Sequence, residues 1–355
     1  MNILFAFYIP SGGVETLNRL RSIALNKYGH QCHSLYLNGG SGLQNRHDMP
    51  VFVTNNDIEI KQLLDAGNYD VIVVTSAYRF LAKFRALGFH GKLIYEIQGL
   101  GSFEQARATL TEATHNVITY ADGLLNPSTP HIMKLFTEFF PNMPQFNFNN
   151  CMDTEAFSYH PCPVSLHPIA AWVGRIEDNK NWSEFLHICH QLIIHHIPRL
   201  NIWMFEDPLL SEPAERARFE ELKSTLNLAD HIRNLNNIPH EQMPEYFSRI
   251  GDSGGFLCST SKVEGAPYSV LEAMSCRCPV LTTDSDGVKS SILHNQTGKY
   301  YTAGNIGEAV NQAFELMTHP SLRQSICIQA EQHVKYHFSP KSYSENFLTM
   351  IHSLP

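Results

Sequence analysis

The strongest constraint in this chain is a rhythm: short apolar runs alternate with segments of helical spacing along most of its length. NILFAFYI reads as a buried strand, PSGG as a turn, VETLNRLRSIALNKYG as a helix closed by Gly29, and QCHSLYLN as a returning strand. Strand-helix-strand crossovers join parallel neighbours, so an α/β protein is expected, its sheets covered on both faces. The rhythm continues with helices near 57–66, 78–87 and 103–115 and strands DVIVVTS, KLIYEIQ and GLLNPS. Between Phe139 and Leu166 it breaks into PNMPQFNFNN and YHPCPVSLHP, Pro- and Asn-rich sequence that reads as a connection. A second series follows, with strands PIAAWVG, LNIWMFE, HIRNL, GGFLCS, PVLTT and GKYY, helices near 182–195, 212–226, 241–250 and 267–276, and terminal helices. With 355 residues and 43% hydrophobic content the chain exceeds one ordinary core, so two doubly wound domains are expected, meeting near His160.

In such sheets ligands bind outside the carboxyl ends of the strands, and two facing domains make a cleft that is the expected site. The formal charge of -8 argues against a polyanion-binding surface and sets nucleic acid aside. Basic and acidic residues balance over 1–150, which keeps contact with an anionic membrane open for that half. The eight cysteines are scattered and several sit in apolar runs, as thiols do in a reducing compartment. Cys276 and Cys278 lack the second pair and the histidine spacing of a zinc site. MNILFAFYIP has no basic n-region and its short apolar run ends at Pro10, so it reads as a first strand and not a signal peptide. No stretch approaches the roughly 18 apolar residues of a membrane-spanning helix. The histidines form no HxxxH spacing beside an acid, and DSD at 284–286 reads as a loop, so no metal is expected.

Three segments carry candidate chemistry. EGAPYSVLEAM follows the strand GGFLCSTS; Pro267 suits a first helical position, which would present the amides of Tyr268 and Ser269 to phosphate oxygens. Glu264 lies in the loop ahead of that helix and Glu272 about 1.5 turns into it, so the two can bracket a sugar and a ribose with a diphosphate between them. Glu272 is flanked by Val270, Leu271, Ala273 and Met274, and needs hydrogen-bond donors to offset its desolvation. For an isolated pair of glutamates, a solvated Glu264 and a salt-bridged Glu272 is the ordinary reading. VGRIEDNKNW places Arg175 and Lys180 in a strand-end loop, where two cations can neutralise a departing diphosphate; a solvated basic loop is the plain alternative. PSGGVE puts Gly12 and Gly13 at a turn into a helix, where the backbone can approach a ligand closely.

Together these segments resemble family 4 retaining glycosyltransferases, the glycosyl transferases group 1 of the GT-B superfamily. Glu264, Gly265, Glu272, Ala273, Met274, Pro279, Val280 and Gly287 fall on that family's donor-binding pattern, and Gly174, Arg175 and Lys180 on its Gly-Arg and Lys spacing. PSGGVE is similar to its N-terminal Gly-Gly-Val-Glu, and NCMDTEAF to its interdomain signature through Asn150, Asp153, Thr154 and Phe157. Arg277 and Cys151 stand where the family has Gly, and Gln98 where it often has a His near the transferred sugar. In place of the family's glycine-rich turn the chain has Glu206 and Asp207, read as capping the following helix.

The resemblance implies two Rossmann-like domains facing across a cleft: residues 1–160 on the acceptor side, 161–337 binding the donor, and a C-terminal helix, 338–355, crossing back to the first. It implies transfer of a hexosyl unit, with retention and without a metal or other cofactor, from a nucleoside-diphosphate sugar, UDP-sugars favoured, to a glycan or glycolipid hydroxyl. Glu264, Arg175 and Lys180 are the expected catalytic residues. Gly12, Gly13, Gln98, Gly265, Ala266, Pro267, Tyr268, Ser269 and Glu272 are expected to bind the donor. The family's usual work, surface polysaccharide or glycolipid assembly, places the protein in the cytoplasm or at the inner membrane face, with Arg19, Arg21, Lys83 and Arg85 available to the membrane. A solvated helix face accounts for those four equally well. The alternatives are a nucleotide-sugar epimerase or phosphorylase of the same fold, or a non-catalytic partner subunit.

Overall fold

The apolar runs become the strands of two parallel sheets in a computed structural model that describes residues 1–45, 49–163, 165–289 and 291–355. The chain divides into two units, Met1–Asp153 with His337–Pro355, and Thr154–Tyr336.

The first unit runs β1 (Asn2–Phe7), α1 (Gly12–Asn26), β2 (Gln31–Tyr36), β3 (Val51–Val53), α2 (Asp57–Gly67), β4 (Val71–Thr75), α3 (Arg79–Ala86), β5 (Lys92–Glu96), α4 (Phe103–Tyr120), β6 (Gly123–Asn126), α5 (Pro130–Phe139) and β7 (Gln145–Asn147). Among the described residues its sheet has seven strands in the order β3-β2-β1-β4-β5-β6-β7. Strand order reverses between β1 and β4, the switch point of a doubly wound sheet. β4 is buried at every residue, which is why VIVVT shows no alternation. Asn56 caps α2, and Ser102 with Gln105 forms a capping box on α4. The sequence pattern missed β3, α5 and β7: two are three-residue edge strands, and α5 lies against the Pro-rich break.

The second unit runs β8 (Ile169–Val173), α6 (Trp182–His195), β9 (Asn201–Glu206), α7 (Pro213–Thr225), β10 (Ile232–Asn236), α8 (Met243–Asp252), β11 (Phe256–Ser259), α9 (Tyr268–Ser275), β12 (Val280–Thr283), α10 (Asp286–Lys289), β13 (Lys299–Tyr301), α11 (Ile306–Thr318) and α12 (Pro320–His337). Its strand order is β10-β9-β8-β11-β12-β13, reversing between β8 and β11. The division between units precedes the expected His160, because Tyr159 Oη bonds to Asp252 at 3.0 Å and the His160 amide to Ser248 at 3.1 Å, both on α8.

The last helix, α13 (Pro340–Ser353), belongs to the first unit and packs on α1. Phe347 meets the edge of Phe5 at 6.2 Å, and Lys92 donates to the carbonyls of Ile351 and Leu354. Beneath it lies a buried ionic network. Arg21, 0% exposed, donates to Glu96 at 2.7 Å and Asn18 at 2.6 Å and stacks over Phe5, while Glu96 also accepts from Thr75. Burial disfavours the Arg21 charge, but Glu96 and Tyr343 outweigh it and hold the guanidinium above its ordinary pKa. This removes Arg21 from the residues available to a membrane. Arg21 is a core residue, and Arg85 is engaged by the carbonyls of Tyr120, Phe89 and Gly91 and by Asp122. Among the described residues no helix is long and apolar enough to cross a membrane.

Candidate functional site

The switch point of the second sheet brings the loop after β8 against the loop after β11. Thr260 Oγ1 bonds to the carbonyls of Lys180 and Asn181, both at 2.9 Å, and Trp172 Nε1 donates to Thr260 at 3.2 Å. The Lys262 amide donates to Asn179 O at 2.9 Å, and Asn179 Nδ2 donates back to Val263 O at 3.2 Å. The loops are thus joined through backbone on both sides, and their side chains meet at the free end.

There Lys180 Nζ stands 2.5 Å from Glu264 Oε1, with the two side chains 24% and 14% exposed. Gly174 makes room for this: a Cβ at Gly174 would lie 2.8 Å from the Trp172 ring and 3.3 Å from Lys180 Cγ. Gly287 does the same for the other partner, since its amide donates to Glu264 O at 3.0 Å and an added Cβ would fall 2.2 Å from that carbonyl and 2.3 Å from Gly265 O. Arg175, by contrast, is 52% exposed and pairs with Glu177 at 3.1 Å. Gly265 and Ala266 continue from Glu264 into the start of α9.

α9 starts one residue later than expected. Pro267 is its N-cap, with φ -80° and ψ 86°, because its carbonyl accepts from the amides of Val270 and Leu271 while ψ lies outside the helical range. Tyr268 and Ser269 therefore form the first turn, the part of a helix whose amides lack carbonyls of their own turn. Glu272, 5% exposed, is not bare in its apolar helix: His240 Nε2 stands 2.7 Å from its Oε1. His240 was not legible as a site residue, since IPHEQ reads as an ordinary loop into α8.

Gly12, Gly13 and Gln98 belong to the first unit. Gly12 opens α1 with φ +65°, a left-handed conformation that explains glycine at that turn. Gln98 follows β5 and is held at both ends of its amide: Nε2 donates to Glu96 at 3.0 Å, and Oε1 accepts from Asn150 at 2.7 Å. The replacements of family glycines differ in consequence. Arg277 has φ +56°, the backbone a glycine would adopt freely, and is held by Glu331 at 2.7 Å and by the Tyr159 ring. Cys151 is buried without a positive φ. Asp207 caps the turn after β9 by accepting from the Leu209 amide, while Glu206 pairs with Arg216. Among the described residues no group of three His, Cys, Asp or Glu side chains is arranged to hold a metal ion.

Each of the two units is built on a parallel sheet, and this arrangement of loops belongs to the second. Residues 165–333 match the family described as glycosyl transferases group 1. The fold is that of GT-B glycosyltransferases: the chain resembles sucrose-phosphate synthase from Thermosynechococcus elongatus, with TM-score 0.83, 16% identity and 99% and 98% of the two chains covered. It also resembles Anabaena HepE solved in complex with UDP-glucose, with TM-score 0.83, 17% identity and 99% of each chain covered. A 2-deoxystreptamine N-acetyl-D-glucosaminyltransferase of Niallia circulans is 21% identical over 182 residues, 51% of this chain and 44% of that protein. The chain thus matches less than half the length of that relative. The match to the glycosyl transferases group 1 family lies within the second unit, and the likeness to the solved structures is one of fold.

Proposed function

We propose that the protein is a retaining glycosyltransferase of family 4 that moves a hexosyl unit from a nucleoside-diphosphate sugar to an acceptor hydroxyl. The single observation that carries this is the Lys180–Glu264 pair at the switch point of the second sheet, ahead of a helix N-terminus. An ammonium has three N–H donors, so Lys180 can keep Glu264 and still donate to phosphate. Arg175, with Lys180 and the first turn of α9, stabilises the charge that builds on the departing diphosphate. Glu264 accepts from sugar hydroxyls and Glu272 from the ribose. UDP is the favoured nucleotide because the similar HepE was solved with UDP-glucose.

The reaction breaks the bond between the anomeric carbon and the β-phosphate oxygen through an oxocarbenium-like transition state. The acceptor oxygen bonds to the anomeric carbon on the same face, and its proton passes to the departing β-phosphate oxygen. Cations of the chain fill the role that a metal plays elsewhere, so no metal is required. Cytoplasmic polysaccharide or glycolipid assembly is the accompanying proposal; all eight cysteines carry thiols, buried except for Cys162, as a reducing setting permits.

Incubation with UDP-hexoses, reading UDP release with and without candidate acceptors, tests the reading. Donor-dependent release that disappears in Glu264→Gln and persists in EDTA supports it. Wild-type turnover in Glu264→Gln removes the site assignment, and strict Mn²⁺ dependence removes the metal-free mechanism.

A further inference from the structure

Glu272 holds its carboxylate on a helix whose adjoining residues Val270, Leu271, Ala273 and Met274 are all buried. A carboxylate only accepts, so His240 must present a protonated Nε2 across the 2.7 Å that separates it from Glu272 Oε1. His240 comes from neither α9 nor its flanking strands: it begins the short 3-10 turn His240–Gln242 after β10. Its ring rests against Phe157, with centroids 4.7 Å apart. The Phe157 carbonyl accepts in turn from Ser275 Oγ at 2.5 Å, and Ser275 ends the same helix that carries Glu272. The contacts therefore close a ring from Glu272 through His240 and Phe157 back to α9.

We propose that His240 is a positioning residue for ribose recognition, fixing Glu272 through Oε1 so that the rest of the carboxylate accepts from the 2′ and 3′ hydroxyls of a nucleoside diphosphate. This rests on the donor-site reading above. A glutamate side chain without a donor in such surroundings turns toward water, which ends its use as a fixed acceptor. One ring nitrogen prevents this, and Phe157 prevents the imidazole from turning away. Because the recognition is of hydroxyls, its signature is discrimination between ribose and deoxyribose, which a general contribution to folding would not give.

The test is calorimetric titration of the full chain with UDP and with 2′-deoxy-UDP, in the wild type, His240→Phe and His240→Asn. The wild type is expected to prefer UDP by about tenfold, the worth of one hydrogen bond to a charged group. His240→Phe keeps a ring against Phe157 but has no donor, and its preference should fall to within about twofold while 2′-deoxy-UDP affinity is retained. His240→Asn restores a donor on a shorter stem and should recover part of the preference; it carries the comparison if circular dichroism shows His240→Phe unfolded. A full ribose preference in His240→Phe, or equal weakening of both ligands, overturns the inference and leaves the donor site standing. Failure of the wild type to bind either nucleotide overturns the donor-site reading and this inference with it.

Discussion

Lys180 Nζ lies 2.5 Å from Glu264 Oε1 although the residues are 84 positions apart, and hydrogen bonds to backbone groups of both loops hold them there. The pair therefore belongs to the scaffold of the second sheet before any ligand arrives. Preorganised charge of this kind acts in a transition state without reorganising.

Glu264→Gln and Lys180→Ala should each lower kcat by about 10²–10³, the usual loss when one electrostatic stabiliser of a developing charge is removed. The double variant should lose little more than either single one, because the two act as a unit. Steady-state kinetics on purified variants with unchanged circular dichroism decide it; additive losses would separate their roles.

Gly287→Ala tests the wall behind Glu264. The three atoms nearest an added Cβ, Glu264 O, Gly265 O and Glu264 C, are all backbone, so none can rotate aside. A loss of about 1–3 kcal/mol in stability is expected, together with weaker nucleotide binding as the Glu264 loop shifts. Urea unfolding and a nucleotide titration read the two effects separately, and an unperturbed variant would show that the loop is not tightly held.

Arg277 should respond in an unusual order. Alanine keeps the positive φ and loses the contacts to Glu331 and Tyr159, while glycine loses the same contacts and relieves a backbone cost of about 1 kcal/mol. Arg277→Ala is therefore expected to be the less stable of the two in urea. Equal stabilities would mean that the local backbone relaxes.

Acid should weaken the same corner. Burial tends to raise the Glu331 pKa, but the bonds from Lys335 and Arg277 outweigh it and leave the carboxyl below its ordinary value. A depressed folded pKa gives stability that is present above the unfolded value and lost as pH falls through the folded one. The stability difference between wild type and Glu331→Gln should therefore shrink as pH drops below about 4.5. Unfolding midpoints from pH 7 downward measure it, and a constant difference would contradict the assignment.

Removing one partner of the buried pair in the first unit should be the most damaging change. Arg21→Met leaves Glu96 in the core with its charge uncompensated, an expected cost of about 3–5 kcal/mol. A mild effect in urea unfolding would place Arg21 at the surface after all.

What the sequence made legible follows from locality. Strand and helix runs of ordinary length carried their own signal, so the alternation was readable over both units, and the edge strands β3 and β7 were too short to show it. Glu264 and Lys180 stand out in the sequence through the resemblance that their loops carry, and the structure sets their side chains in contact. His240 could not, since what singles it out is a contact with Glu272 made through folding, from a loop with no pattern of its own. Arg21 misled for the converse reason: helical spacing does not tell a solvated arginine from one whose acid, Glu96, arrives 75 residues later.

The first unit is made from both ends of the chain, with α13 covering α1. During synthesis the second unit, continuous in sequence, has all its residues in hand while the first still awaits its last helix. Until His337–Pro355 emerges, Phe5 and the Arg21 network lack Phe347 and Tyr343. The first unit is thus completed by a segment that follows the whole of the second in sequence.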